Sequence, residues 1–131
     1  MKRPEEALHR AIVAHLRARL PAPWLVFHIP NGGGRSKAEA GILKAMGVLA
    51  GMPDLLVIGP GRHVTALEIK APPKPTKRGT LSKAAPRVSD AQRDVIAALG
   101  ECGIATLIVR DLDEAIRALE ALGVPLKGRA M

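Results

Sequence analysis

Asp54, Glu68 and Lys70 are two acids and an amine whose types and spacing suit chemistry on a bound metal ion. Mg²⁺ prefers oxygen ligands and typically takes one or two carboxylates, with water and substrate phosphate completing its octahedron. A metal held in this way lowers the pKa of a coordinated water and offsets charge on a phosphate. A nearby lysine can orient that water and stabilise the charge that develops. These residue types therefore indicate phosphodiester hydrolysis.

The sequence around these groups predicts a β-hairpin that brings them to one end. Pro53 presets an extended backbone before Asp54, and residues 55–58 are a short apolar run typical of a buried strand. The Gly-Pro-Gly sequence at 59–61 favours a tight turn. Residues 63–70 are then the predicted returning strand.

Side-chain alternation on the returning strand places Glu68 and Lys70 on one face. Asp54 would lie beside them, and the main-chain carbonyl of Ile69 is placed to be a third metal ligand. Each feature also has a simpler interpretation. The E-x-K can be the solvated face of an amphipathic strand, and the aspartate can be a residue that favours a turn. The order of proline-aspartate, strand, turn and E-x-K favours a hairpin site.

Length and composition indicate a single domain over residues 1–131. This length suffices for one core and not for two, and 47% of the residues are hydrophobic. Trp24 and Phe27 are the only aromatic residues among Phe, Trp and Tyr. We therefore do not expect stacking on aromatic side chains to be the main way of holding a nucleic acid.

Cysteine usage and the N-terminal sequence bear on location. Cys102 is the single cysteine, which excludes an intramolecular disulfide and a cysteine-based zinc site. The first twenty residues contain no apolar run long enough for a signal peptide or a membrane span. We expect a cytoplasmic protein with no membrane partner.

The net charge of +8 and the pI near 10.4 favour a polyanionic partner. Much of the excess falls in residues 71–88, which contain five basic residues and no acid. The basic residues of this segment are Lys74, Lys77, Arg78, Lys83 and Arg87. A solubilising flexible loop is the alternative interpretation. The position of segment 71–88 directly after Lys70 favours contact with nucleic-acid phosphates.

A glycine-rich turn at residues 30–35 follows the first predicted strand. It lacks the spacing of a nucleotide P-loop and of a dinucleotide-binding fold, so we expect no nucleotide cofactor. Asn31 and Arg35 in this turn, together with exposed backbone amides, are candidate contacts to a nucleic-acid phosphate. A flexible turn without a ligand is the alternative.

Residues 4–20 form a predicted amphipathic helix. Its apolar face consists of Leu8, Ile12, Leu16 and Leu20. Glu5 projects to the middle of that face and Glu6 to its flank. A carboxylate on a buried face is unusual without a partner, so Glu5 is a candidate site residue. Stabilisation of the helix dipole is the alternative for either glutamate, and the role of His9 near this face stays open.

Five further elements complete the prediction. They are a strand at 24–29, helices at 37–46 and 90–102, a strand at 104–109 and a helix from Asp111 or Leu112 to about Leu122. Ser89 suits the N-cap of the second of these helices, and Gln92 in its first turn could reach the site. The alternative interpretation of Gln92 is an ordinary glutamine on the exposed surface of the helix. The tail from Pro125 is expected to be loose.

The passage from the hairpin through helix 90–102 into strand 104–109 predicts parallel pairing by a right-handed crossover. The fold class is therefore α/β, a mixed β-sheet flanked by helices. Four motifs in this order resemble the VRR-NUC branch of the PD-(D/E)xK nucleases, which have a restriction-endonuclease-like fold. They are F-H-I-P-N-G-G at 27–33, M-G-V-L-A-G-M-P-D-L at 46–55, L-E-I-K at 67–70 and S-D-A-Q at 89–92.

The resemblance extends over nearly the whole chain and is to the small stand-alone members of phages and bacteria. It implies that Asp54 and Glu68 bind the metal, that Lys70 is the catalytic lysine and that Gln92 is a site residue. Glu5 matches the first-helix glutamate of the family. Mg²⁺ or Mn²⁺ dependence, DNA as substrate, and a homodimer acting on branched DNA such as four-way junctions are also implied.

One departure from the family concerns the segment from Lys70 to Ser89, nineteen positions on, which is longer than in many members and contains four prolines. We expect this longer segment to bear on substrate preference and on the shape of the DNA groove more than on the chemistry. The leading prediction is a metal-dependent DNA endonuclease. Two alternatives are a non-catalytic DNA-binding module of the same fold and an RNA nuclease.

Overall fold

The computed structural model describes residues 4–30, 36–72 and 87–128. Within these ranges the elements are α1 Pro4–Arg19, β1 Leu25–His28, α2 Lys37–Ala45, β2 Leu55–Gly59, β3 His63–Ile69, α3 Asp90–Glu101, β4 Ala105–Val109 and α4 Leu112–Ala121. Each element predicted from the sequence is present, and each end lies within one residue of its predicted position. Lys70 falls just beyond β3.

The four strands form one mixed sheet in the order β1-β2-β3-β4. β1, β2 and β3 are antiparallel neighbours, and the β2–β3 hairpin has the register Leu55↔Leu67. β3 and β4 are parallel, with Ile69 opposite Val109. The predicted hairpin and the predicted parallel pairing through α3 are both confirmed. The parallel pair places the end of β4 beside the end of β3.

Apolar side chains of one sheet face form the core with α1 and α4. Leu55 and Leu67 of the hairpin are fully buried there with Leu16 of α1 and Leu119 of α4. Burying one such side chain contributes about 1.5–3 kcal/mol. The core thus holds α1 firmly on the side of the sheet opposite to the E-x-K side chains.

The opposite sheet face contains Glu68, since side chains alternate along β3. α3 covers the β3–β4 side of this face through Val95, which is buried. Leu25 and Phe27 of β1 remain 60% and 40% exposed. Helices therefore flank both faces of the mixed sheet, and the expected fold class is confirmed.

Residues 124–128 lie against the core and α1. Val124 is buried, and the Lys127 N–H donates to the Arg19 carbonyl at 2.8 Å. Arg19 Nη2 also donates to the Gly128 carbonyl, so this part of the tail, which was expected to be loose, has specific contacts as far as Gly128. Residues 129–131 lie outside the described ranges. Among the described residues, no helix is long and apolar enough to cross a membrane. The cytoplasmic location stays a prediction.

Candidate functional site

The hairpin places Asp54 beside the end of β3. The Ile69 N–H donates to Asp54 Oδ2 at 2.8 Å. In an antiparallel pair the N–H and the C=O of one residue point to the same neighbour, so the Ile69 carbonyl is directed to the same side as Asp54. The role of this carbonyl as a metal ligand stays a prediction.

Glu68 is a buried acid in an acidic environment. Its exposure is 2%, and its pKa is raised from 4.5 to about 8, first by burial and next by the charge of Asp54. The charge of Lys70 opposes this increase in the pKa, whereas the charge of Glu5 adds to it. Two carboxyl groups that share a buried site repel each other when both are ionised. Without a cation, the site therefore retains a proton near neutral pH.

Gln92 connects the two ends of the E-x-K motif. Its Nε2 donates to Glu68 Oε2 at 2.9 Å, and its Oε1 accepts from Lys70 Nζ at 2.9 Å. The same oxygen accepts the Ser89 N–H at 2.9 Å, and the Ser89 hydroxyl accepts the Gln92 N–H at 3.1 Å. This capping box begins α3. One local motif thus starts the helix and orients the glutamine.

Lys70 is held by its main chain and by its amine. Its N–H donates to the Val109 carbonyl at 3.0 Å, which continues the pairing with β4. The residue is 9% exposed, and Nζ lies 3.8 Å from Glu68 Oε2. A buried ammonium needs such partners because isolated charges are costly to desolvate. The amine therefore has a defined position beside the two carboxyls.

The two glutamates in the first turn of α1 have different surroundings. Glu6 pairs with Arg10 at 3.0 Å on the exposed side of the helix. Glu5 is half-buried and lies close enough to Glu68 to raise the pKa of that carboxyl. Glu5 is thus the glutamate that approaches the cluster, in agreement with the helical-face argument.

The donor set is compatible with a hard divalent cation. Among the described residues there is no group of three or more His, Cys, Asp and Glu that could hold a metal. Two carboxyls and a main-chain carbonyl, as in Asp54, Glu68 and Ile69, suit Mg²⁺, which keeps several water ligands. Glu68 Oε1 is buried without a hydrogen-bond partner, and a cation would satisfy it. The residues present therefore fit Mg²⁺ or Mn²⁺.

His28 lies beside the main chain of Asp54 and His9 lies beside His28; the role of both histidines was open from the sequence. His28 Nδ1 is 2.9 Å from the Asp54 carbonyl oxygen. The ring of His9 in α1 contacts the ring of His28, with centroids 4.7 Å apart. Burial lowers the pKa of His9, the charge of His28 lowers it further, and the charge of Asp54 opposes both.

Most of the candidate nucleic-acid contacts fall outside the described residues. These are Asn31, Arg35, Lys74, Lys77, Arg78 and Lys83. Arg87 is described, and it is exposed two residues before Ser89. The proposed phosphate contacts stay predictions.

Arg110 is a residue near the site that the sequence reasoning missed. Its Nη1 donates to the carbonyl of Ala71, the residue after Lys70, at 2.9 Å. Its own N–H donates to Glu114 Oε1 at 2.8 Å. The signal available in the sequence was an arginine at the end of a strand predicted to run parallel to β3. Arg110 therefore holds the beginning of the basic segment 71–88.

Gly51 allows the segment before Asp54 to pack against α3. Its φ is +91°, and a Cβ at this position would lie 2.4 Å from the Ala91 carbonyl oxygen and 2.8 Å from the Gln92 nitrogen. Such a side chain forces the backbone of the first turn of α3 to move. Gly51 is thus required for the close approach that positions Gln92.

Gly51→Ala is expected to lower the free energy of unfolding by at least about 2 kcal/mol, from left-handed strain plus the clash with α3. Gly61→Ala is the matched control, since Gly61 has φ +74° and no atom within 4 Å of the built Cβ. It should cost only the strain of about 1–2 kcal/mol. Urea unfolding of both variants measures the difference, and equal costs would contradict the role of the close approach.

Comparison with family models gives no match, and neither does comparison with curated proteins. A solved structure described as "VRR_NUC domain protein" is similar to this chain with a TM-score of 0.65. The two share 22% sequence identity, and the match covers 92% of this chain and 88% of that chain. The chain therefore has the fold of that VRR_NUC domain protein, as the sequence motifs led us to expect.

Proposed function

We propose that this protein is a Mg²⁺- or Mn²⁺-dependent endonuclease that hydrolyses phosphodiester bonds in DNA. The observation that carries the proposal is the convergence of Asp54, Glu68 and Lys70 at one end of the hairpin, with Glu68 Oε1 buried and unpaired. Structural polar groups are normally satisfied within the protein, so such an atom favours a bound ligand. The fold shared with a VRR_NUC domain protein supports the same function.

The residues of this chain have separate tasks in the proposed reaction. Asp54, Glu68 and the Ile69 carbonyl would hold the cation, which supplies an activated water and charge for the phosphate. Lys70 would orient the water and stabilise the developing negative charge. Gln92 keeps the Lys70 amine beside the carboxyls. The net charge of +8 attracts the DNA.

A substrate panel tests this function. Linear, flapped and four-way DNAs, together with a matched RNA, are incubated with Mg²⁺, Mn²⁺ or EDTA. We expect DNA cleavage in either metal, none in EDTA, and a preference for branched DNA. Binding of DNA without cleavage in both metals would instead identify a non-catalytic module, and cleavage of RNA alone would identify an RNA nuclease.

A homodimer is the assembly that we propose for cleavage of branched DNA. Cutting both strands of a symmetric junction requires two centres, which a two-fold symmetric dimer provides. α2 has no buried residue, and exposed apolar side chains continue from it into the following turn. They are Ile42, Met46, Val48 and Leu49. Apolar patches of this kind are typical of protein–protein surfaces.

Replacing both Met46 and Leu49 with glutamate is expected to convert the dimer into a folded monomer, since the two side chains are 77% and 56% exposed. Light scattering measures the mass, and Leu25→Glu, at an exposed apolar position on β1, is the control that should remain dimeric. A monomeric wild-type protein, both free and on a four-way junction, would contradict the proposed assembly.

A further inference from the structure

His28 and Ile29 hold the main chain of Asp54 from the end of β1. The Asp54 carbonyl accepts the Ile29 N–H at 2.9 Å and lies 2.9 Å from His28 Nδ1. A carbonyl oxygen is only an acceptor, so the proton of the imidazole must be on Nδ1. Two donors therefore converge on the backbone of a candidate metal ligand.

The carboxyl end of Asp54 is held separately. Its Oδ2 accepts the Ile69 N–H at 2.8 Å from β3. The backbone contact from His28 and the side-chain contact from Ile69 therefore come from opposite neighbours of β2. The main chain and the carboxyl of Asp54 are therefore restrained by separate contacts.

His9 connects this arrangement to α1. Its ring meets the His28 ring edge-on, with an interplanar angle of 78° and centroids 4.7 Å apart. Glu5 precedes His9 by four positions, so both residues lie on the same side of the helix. The histidine pair thus joins the helix that contains Glu5 to the main chain of Asp54.

We propose that His28 is a positioning residue for the metal centre and that His9 holds its ring in place. The inference rests on the proposed function, because it assumes that Asp54 binds a cation. Groups that orient a metal ligand typically change metal affinity or activity by about 10- to 100-fold when they are replaced. Such an effect is specific to the ligand and differs from a general loss of stability.

Three variants separate positioning from simple packing. His28→Leu removes the donor and keeps most of the volume, and His28→Asn places an amide nitrogen close to the position of Nδ1. His63→Leu is the matched control, since His63 Nε2 lies 2.7 Å from Thr65 Oγ1 near the other end of the hairpin. Mn²⁺ affinity is measured by calorimetry, and kcat and KM are measured on the best DNA of the substrate panel.

We expect His28→Leu to weaken Mn²⁺ binding about 10- to 100-fold and to lower kcat at fixed Mn²⁺ with little change in KM for DNA. His28→Asn should recover most of the loss, and His63→Leu should bind Mn²⁺ like the wild type. Nitrogen NMR of the wild-type protein, at a pH where the His28 ring is uncharged, should show the ring proton on Nδ1.

Three results would overturn the inference while the proposed function stands. These are wild-type behaviour of His28→Leu, equal losses in His28→Leu and His63→Leu, or no recovery in His28→Asn. A His28 proton on Nε2 would overturn it independently of any metal. A wild-type protein that neither binds Mn²⁺ nor cleaves DNA would instead refute the proposed function, and the inference with it.

Discussion

Replacing Lys70 with methionine is expected to lower the rate of DNA cleavage by about 10²- to 10³-fold, as removal of one group that stabilises transition-state charge typically does. The amine donates to Gln92 Oε1 and lies 3.8 Å from Glu68 Oε2, so it is placed where charge would develop. Methionine keeps the length of the buried stem without the charge. Single-turnover cleavage at saturating Mn²⁺ measures the effect.

The same variant should still bind Mn²⁺, because Asp54 and Glu68 are unchanged. Lys127→Met is the control, since this exposed lysine contacts Arg19 through its main chain only. It should cleave DNA at the wild-type rate. Full activity of Lys70→Met would remove the proposed role of the lysine, and complete loss of Mn²⁺ binding would show that the effect arises at the metal instead.

Without a divalent cation, the protein is expected to lose stability as the pH rises from about 5 to about 9. The pKa of Glu68 is raised from 4.5 to about 8 in the folded state, so the folded protein binds this proton more tightly than the unfolded chain. The stabilisation is therefore complete below pH 4.5 and is lost as the pH rises through 8. One pKa unit is worth about 1.4 kcal/mol, so the loss is on the order of a few kcal/mol.

Urea unfolding in EDTA at a series of pH values measures how the free energy of unfolding changes with pH. The variant Glu68→Gln isolates the contribution of Glu68 to this pH dependence. The glutamine amide has no ionisable proton and its oxygen can still accept from Gln92 Nε2. The difference between the wild type and Glu68→Gln should therefore follow the titration of one group. Parallel curves for the two proteins between pH 5 and 9 would contradict the raised pKa.

Saturating Mn²⁺ should abolish most of this pH dependence of the free energy of unfolding, because the cation takes the place of the proton that Glu68 holds beside Asp54. Binding should also release up to one proton below pH 8, and calorimetry in buffers of different ionisation enthalpy measures that release. Metal binding without proton release at pH 7 would indicate that Glu68 is not a ligand.

The hairpin was predictable because its determinants are local. The apolar run, the Gly-Pro-Gly turn and the alternation of side chains specify the two strands and place Glu68 and Lys70 on one face. Helix starts were equally local, since the Ser89 hydroxyl caps the helix that it precedes. For the same reason the predicted ends of all eight elements lie within one residue of those observed.

The environment of these groups depended on contacts between residues distant in the sequence. Glu68 is 2% exposed because α3 covers its face of the sheet, whereas an E-x-K strand alone is equally compatible with solvent. The local sequence pattern alone did not distinguish Gln92 from a surface glutamine, whereas in the fold its amide lies between Glu68 and Lys70, 24 and 22 positions away.

His28 and Arg110 show the same limit of local reasoning. His28 reaches the main chain of Asp54, 26 positions on, and Arg110 reaches Ala71, 39 positions back. The sequence by itself determined the residue types, the strand faces and the helix caps, because these follow from neighbours along the chain. Only the tertiary structure decided which groups are buried together, and hence the pKa of Glu68, because packing sets both the separations and the access of water.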